Sequence, residues 1–150
     1  MSYARSDLLR SAEALLPQIV AWRRELHRWP ELGYQEERTA AYVADALASL
    51  GVDVSSGIAK TGVVGLLKGS RPGPTIALRA ELDAWPIEEA TGLPFASQNP
   101  GVMHACGHDG HMAALLGACA LLCRQKERLY GNVKFIFQPA EEMLGGGEAV

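Results

Sequence analysis

Two short apolar runs are each followed by acids: Thr75 to Ala80 directly, and Val133 to Phe137 after three residues. Both read as buried strands, the first running into Glu81-Leu82-Asp83 and the second into Gln138-Pro139-Ala140-Glu141-Glu142. Strands of this kind, alternating with helical patterns, are built into α/β domains whose central sheet is covered by helices on both faces. Sites in such sheets form where strands end at their carboxyl edges, and Glu81, Asp83, Glu141 and Glu142 all lie just past a predicted strand. Glu81 and Asp83 are two residues apart, so on an extended backbone they face the same side.

The helical patterns fall around these runs. Residues 6 to 28 carry Leu8, Leu15, Ile19, Trp22 and Leu26 at helical spacing, with Pro17 positioned to split or kink the helix. Trp29-Pro30 stops it, because a residue before proline avoids helical dihedrals. A second helix is expected over 35 to 50, closed by Gly51 as C-cap. Val52 to Val54 and Gly62 to Leu67 are short strand candidates, and Gly69 to Pro74 is a turn or loop by composition. Residues 84 to 103, with three prolines, read as an ordered loop. From Asp109, a plausible N-cap, helical spacing returns through Met112, Leu116 and Cys119 to Arg128. Gly145 to Gly147 reads as a flexible or tightly turning segment.

Composition excludes several classes of partner. Seventeen acids against fourteen lysines and arginines leave a net charge of -3, which offers no broad attraction for nucleic acid or an anionic membrane. No run approaches the ~18 apolar residues of a membrane span, and charges at Arg5, Asp7, Arg10 and Glu13 interrupt any leader-like apolar core. Three cysteines without framework spacing fit a reducing compartment, so a cytoplasmic location is expected. Cys119 and Cys123 are expected as buried helix residues.

The densest chemistry lies in residues 102 to 112, Val-Met-His-Ala-Cys-Gly-His-Asp-Gly-His-Met. Cys106 and His108 flank one glycine, which lets both side chains converge on a single ion. Thiolate and imidazole suit zinc and similar transition metals, with a carboxylate as the usual third ligand. Of two adjacent glutamates, one can bind metal while its neighbour serves as general base. Taken singly these signals are weak. Cys-Gly-His is more often structural, His104 is either a partner to a ligand or a polar loop residue, and His111 either bonds backbone or lines a site. Glu141-Glu142 alone is most often an exposed helix start. Glu88-Glu89 is a comparable acidic pair with no strand before it, expected to be solvated surface.

Five segments taken together resemble one family in the same order: Arg24 to Gly33, Thr61 to Gly65, Leu78 to Ile87, Met103 to His111, and Phe137 to Glu142. They look like the aminoacylase, hippurate-hydrolase and indole-acetyl-amino-acid-hydrolase family of co-catalytic-metal amidohydrolases, with a metallo-exopeptidase-like catalytic domain. The resemblance implies metal-dependent hydrolysis of the amide bond in N-acyl amino acids, with two divalent ions drawn from Mn, Zn, Ni or Co. By position it makes Cys106, His108 and Glu142 metal ligands and Glu141 the general base. Asp83 would orient a ligand, Glu81 would have a supporting role, and His104 and His111 would lie outside the ligand set.

Family members are more than twice this length. They carry further ligand histidines beyond the two glutamates and an inserted dimerisation and lid domain. Residues 1 to 150 are therefore expected to be the N-terminal part of the catalytic domain, inactive or nearly so alone, and homo-oligomeric at full length. The alternative expectation is a catalytically inactive module that keeps the fold for binding or assembly. A structural-zinc or redox role for the cysteines is disfavoured by the absence of a second Cys-x-x-Cys or Cys-His pair.

Overall fold

The computed structural model describes residues 5–143 and 145–148. Two helices, α1 (Arg5–Arg28) and α2 (Glu37–Ser49), precede three strands, β1 (Asp53–Ile58), β2 (Gly62–Lys68) and β3 (Arg71–Glu81). Helix α3 (His108–Cys123) and a 3₁₀ turn at Lys126–Arg128 then lead to β4 (Tyr130–Gln138). The sheet order is β1-β2-β4-β3, antiparallel at the first two pairings and parallel between β3 and β4. The last strand thus lies between two that are consecutive in sequence.

Glycine makes this insertion possible. Gly131 has φ +76, and a Cβ on it would lie 1.9 Å from the carbonyl oxygen of Pro74. On the other side Gly69 donates its N–H to the Gly131 carbonyl at 2.9 Å. Side chains at this point would hold the three backbones apart.

Register puts Val63, Gly65 and Leu67 of β2 beside Phe137, Phe135 and Val133 of β4, all buried on one face. Leu47 of α2 and Met112 and Leu116 of α3 complete a single core with them. Burying each such side chain is worth about 1.5–3 kcal/mol, so this face holds the domain together. Gly65 is small because Val52 and Leu47 already fill the space beside it. Helix α1 packs along α3, with Ile19 lying over Gly117.

The α/β class stands as read, but among the described residues α2 and α3 pack on the same face of the sheet. On the opposite face, Val64, Leu66 and Ile136 are half-buried and Lys134 is exposed. The expected second layer of helices is not found among the described residues.

Four local expectations need correction. β3 starts at Arg71, inside the expected turn, and its pairing with β4 is irregular between Arg71 and Thr75, which accommodates the prolines. The run Thr75 to Ala80 is not a buried strand: Thr75, Ile76 and Ala77 are exposed, Leu78 is half-buried and only Ala80 is buried. β3 is an edge, and its outer side is open among the described residues. Pro17 leaves α1 unbroken because it sits on the exposed side, where water can satisfy the freed carbonyl. Asp109 is not the cap of α3; Gly107 is, in the left-handed region at φ +86.

Other readings agree with the structure. Gly51 follows α2 with φ +78 and donates to Ala48 O at 2.9 Å. Cys119 is fully buried, and its sulfur lies 3.9 Å from that of half-buried Cys123. Residues 84 to 103 are an ordered loop, tied by Trp85 and Met103, whose N–H groups donate to one another's carbonyls. In the glycine-rich segment, 146 to 148 turn, while Leu144 lies outside the described residues.

Candidate metal centre

The site forms where β3, β4 and α3 come together. Past Glu81 the chain leaves β3, and the fully buried Asp83 turns towards the start of α3. Its backbone carbonyl accepts from His108 Nδ1–H at 2.8 Å, and its Oδ1 lies 3.4 Å from the same nitrogen. That leaves His108 Nε2 free, facing Glu142 Oε1 at 3.7 Å and Glu141 Oε2 at 3.8 Å. Asp83 Oδ2 also accepts the backbone N–H of Glu142 at 2.9 Å. One acidic residue therefore orients the histidine and anchors the segment carrying the glutamates.

Cys106, His108 and Glu142 place one ligand atom each within 4.8 Å of the others. Glu81, His108 and His111 form a second such group. His108 serves both, but with Nδ1 engaged by Asp83 it has only Nε2 to give, and Nε2 faces the glutamates. Glu81 is already engaged by Arg79 at 3.0 Å and by His111 Nδ1 at 2.8 Å. The first group is the better chelate.

The electrostatics suit a divalent cation. Burial pulls His108 down, but the Asp83 carboxylate and carbonyl, with Glu81 nearby, overcome it and raise the imidazole to about 9. The Cys106 thiol is raised by its hydrogen bond with Glu142, by burial and by the surrounding acids. Burial works to raise Asp83 too, yet His108 and the backbone amides of Glu142 and Glu141 hold it below the usual carboxylate range. Glu142 Oε1 is buried without a hydrogen-bond partner. Surplus negative charge, a protonated ligand set and an orphaned oxygen are what such an ion would relieve.

The two glutamates differ in setting. The Glu142 side chain is 15% exposed and the Glu141 side chain 40%. The former is held inward, and the latter keeps access to solvent. A cavity of about 630 Å³ between Leu15, Trp22, Leu50 and Cys123 lies away from this chemistry and shares no residue with it.

Behind the loop that carries Cys106 lies a polar network that the sequence did not reveal. Asp109 is fully buried; its Oδ2 accepts from Arg23 Nε–H at 3.0 Å and lies 2.9 Å from His27 Nδ1. His27 Nε2 in turn faces Glu89 Oε1 at 3.2 Å. The expectation of a solvated Glu88-Glu89 pair holds for exposed Glu88 but fails for Glu89, whose side chain is 3% exposed and accepts the Ser97 N–H at 2.6 Å. Glu88 also has a partner, the Gly101 N–H. His104 is 3% exposed and neither ring nitrogen has a partner; burial depresses it to about 4. Nothing in the spacing of Arg23, His27 and Glu89 marks them, because residues this far apart meet only through the fold.

A partly parallel sheet with Cys106, His108 and Glu142 gathered where β3, β4 and α3 meet defines an α/β domain with a candidate metal site. Residues 77–150 match Peptidase family M20/M25/M40, and the chain belongs to that family. It is 45% identical over 143 residues to the N-acyl-L-amino acid amidohydrolase of Geobacillus stearothermophilus, covering 95% of this chain and 39% of that protein. It is 52% identical over 148 residues to thermostable carboxypeptidase 1 of Saccharolobus solfataricus, covering 95% of this chain and 38% of that protein. The crystal structure of the Bacillus subtilis YXEP protein, titled a dinuclear metal binding peptidase from the M20 family, superposes with a TM-score of 0.88 at 44% identity, covering 92% of this chain and 39% of that one. The chain thus spans less than two fifths of the length of these relatives.

Proposed function

We propose that these residues form the N-terminal part of the catalytic domain of a metal-dependent amidohydrolase that cleaves the amide bond of N-acyl amino acids. The observation carrying this reading is the convergence of Cys106, His108 and Glu142 within 4.8 Å, with Glu141 beside them. Cys106, His108 and Glu142 hold metal, and two divalent ions, from Mn, Zn, Ni or Co, occupy the full-length centre. The dinuclear relative supports that number. When bound, the ions supply Lewis acidity to water and to the amide carbonyl.

The chain's own residues do the rest. Glu141, the more exposed glutamate, takes a proton from the attacking water and delivers it to the departing amine. Asp83 keeps the His108 ring turned so that Nε2 points at the glutamates. The sequence from Ala140 to Glu142 separates base from ligand by letting neighbouring side chains diverge. Further ligands, a lid and dimerisation domain and a homo-oligomer belong to the remaining length of such an enzyme. These residues alone are then inactive or nearly so. The free cysteines support a cytoplasmic site of action.

The test is hydrolysis of hippurate-type and other N-acyl amino acids by the full-length protein, with each of the four metals, beside Glu141→Gln. The expected result is metal-dependent turnover, reduced in the variant by roughly 10²–10⁴-fold with metal content unchanged. Full-length protein that binds metal yet cleaves none of these substrates would overturn the substrate class. Protein that neither binds metal nor turns over would make it a binding or assembly module.

A further inference from the structure

Glu36 occupies the N-cap position of α2 but makes no capping hydrogen bond. Glu31 caps the helix instead: its carboxylate accepts the N–H groups of Arg38 and Thr39 at 3.1 and 2.7 Å and the Thr39 hydroxyl at 2.7 Å. Glu36 is fully buried and reaches away from its own helix. Its Oε2 accepts the Thr61 hydroxyl at 2.6 Å, and its Oε1 accepts the backbone N–H of Ala140 at 2.8 Å. Both oxygens are spent on neutral donors. A carboxylate taken out of water in this way is expensive, so the fold must recover something from its two contacts.

Ala140 indicates what is recovered. It is fully buried and has φ +49, a left-handed conformation that strains a residue with a Cβ. This residue reverses the chain as it leaves β4. Two residues on, the Glu142 N–H meets Asp83 Oδ2 at 2.9 Å and the Glu142 carboxylate comes within 3.7 Å of His108 Nε2. Glu141 is therefore suspended between two buried carboxylates, Glu36 gripping the N–H of the residue before it and Asp83 that of the residue after.

We propose that Glu36 is a positioning residue for the glutamate pair: by holding Ala140 in the left-handed region it sets the directions in which Glu141 and Glu142 leave β4. What the pair then does rests on the function proposed above. The requirement is for an acceptor at Ala140, not for charge. Glutamine meets it, turning its carbonyl to the Ala140 N–H and its amide nitrogen to the Thr61 hydroxyl oxygen. Methionine, of similar shape, leaves the Ala140 N–H without an acceptor. Glycine at 140 adopts the same conformation without strain and lessens the need for the grip.

The experiment compares full-length wild type, Glu36→Gln, Glu36→Met and Glu36→Met/Ala140→Gly. One arm is metal-free: hydrogen exchange read on peptides covering 138–143 against those covering 130–137. In Glu36→Met the first set should exchange at least about tenfold faster, the equivalent of one lost hydrogen bond, while the β4 peptides keep their protection. Glu36→Gln should match wild type. The second arm titrates Co²⁺ and follows the cysteine thiolate-to-cobalt absorption. Affinity should fall about tenfold in Glu36→Met, as for loss of other supporting contacts, and recover in part in the double variant. Unchanged exchange at 138–143 in Glu36→Met, unchanged cobalt affinity despite faster exchange, or a Glu36→Gln variant as impaired as Glu36→Met would each overturn the proposal. If Glu36→Met does not fold, Glu36→Gln and the double variant still decide it. A wild type that takes up no cobalt overturns the functional reading itself, and reduces Glu36 to a contact of the fold.

Discussion

Replacing Asp109 with alanine removes one carboxylate that serves two partners of different worth. Arg23 is 56% exposed, so its pairing with Asp109 contributes less than about 1 kcal/mol once solvent screening is counted. The His27 contact is dry on both sides, with side chains 6% and 0% exposed. Deleting the carboxylate leaves an imidazole nitrogen buried and unpaired beside the helix that starts at His108. Leaving a buried polar group without its partner costs about 1–3 kcal/mol. At about 2–4 °C per kcal/mol for a folded unit of 150–250 residues, Asp109→Ala should lower the melting temperature by roughly 2–12 °C. Asp109→Asn retains an oxygen for His27, and its amide nitrogen takes the position of Oδ1, which has no hydrogen-bond partner. It loses the charge opposite Arg23 and leaves its amide N–H groups without an acceptor, so it should cost more than Arg23→Ala but less than Asp109→Ala. Thermal and urea unfolding of the three variants measure the order. Asp109→Ala within about 1 kcal/mol of wild type, or an asparagine variant as damaged as the alanine one, would refute the reasoning.

Three further outcomes are expected. Asp83→Asn should weaken zinc or cobalt binding by about 10–100-fold in calorimetric titration, because it loosens both His108 and the Glu142 backbone; equal affinity would count against an orienting role. Burial raises Glu89, but the Thr91 hydroxyl, the Ser97 N–H and His27 outweigh it and hold the carboxyl below its usual value. A depressed carboxyl adds stability that is complete above the unfolded value, about 4.3, and is lost as pH falls through the folded one. Urea midpoints of wild type should therefore fall more steeply below about pH 4 than those of Glu89→Gln, with parallel curves above about pH 5. Gly131→Ala should cost more than about 2 kcal/mol in urea unfolding, since its Cβ meets the Pro74 carbonyl; a smaller loss would mean that the sheet yields there.

Period and punctuation carried most of the architecture. Helical spacing located α1, α2 and α3, and Gly51 closed α2 where a left-handed residue was needed. The motif segments also named residues that the fold brings together at the candidate site, because Cys106, His108, Glu141 and Glu142 are near neighbours in sequence within two short stretches. Burial was less legible. Thr75 to Ala80 is apolar enough for a core, but whether a strand is central or at an edge depends on which strands flank it, a property of the sheet rather than of six residues. Asp109 reads as a cap for a related reason: its type and place suit one, and only the fold brings Arg23 and His27 to it. Glu36 and Glu89 are acids in polar surroundings whose burial depends on partners dozens of residues away. Local pattern is silent on such pairings, and the contacts supporting the site consist mainly of them.

The order β1-β2-β4-β3 has a consequence for how the site comes into being. Until β4 arrives, β2 and β3 have no shared partner, and Asp83 and His108, at the ends of β3 and α3, meet without the two glutamates. The strand that completes the sheet also delivers Glu141 and Glu142, so closure of the core and assembly of the candidate site are one event. During synthesis, everything up to Leu129 is made before the interior strand exists, with two sheet edges left open to other chains. A substitution that slows the insertion of β4, at Gly131 or Gly69, would therefore show as aggregation of newly made protein in addition to the lost stability of molecules that had already closed.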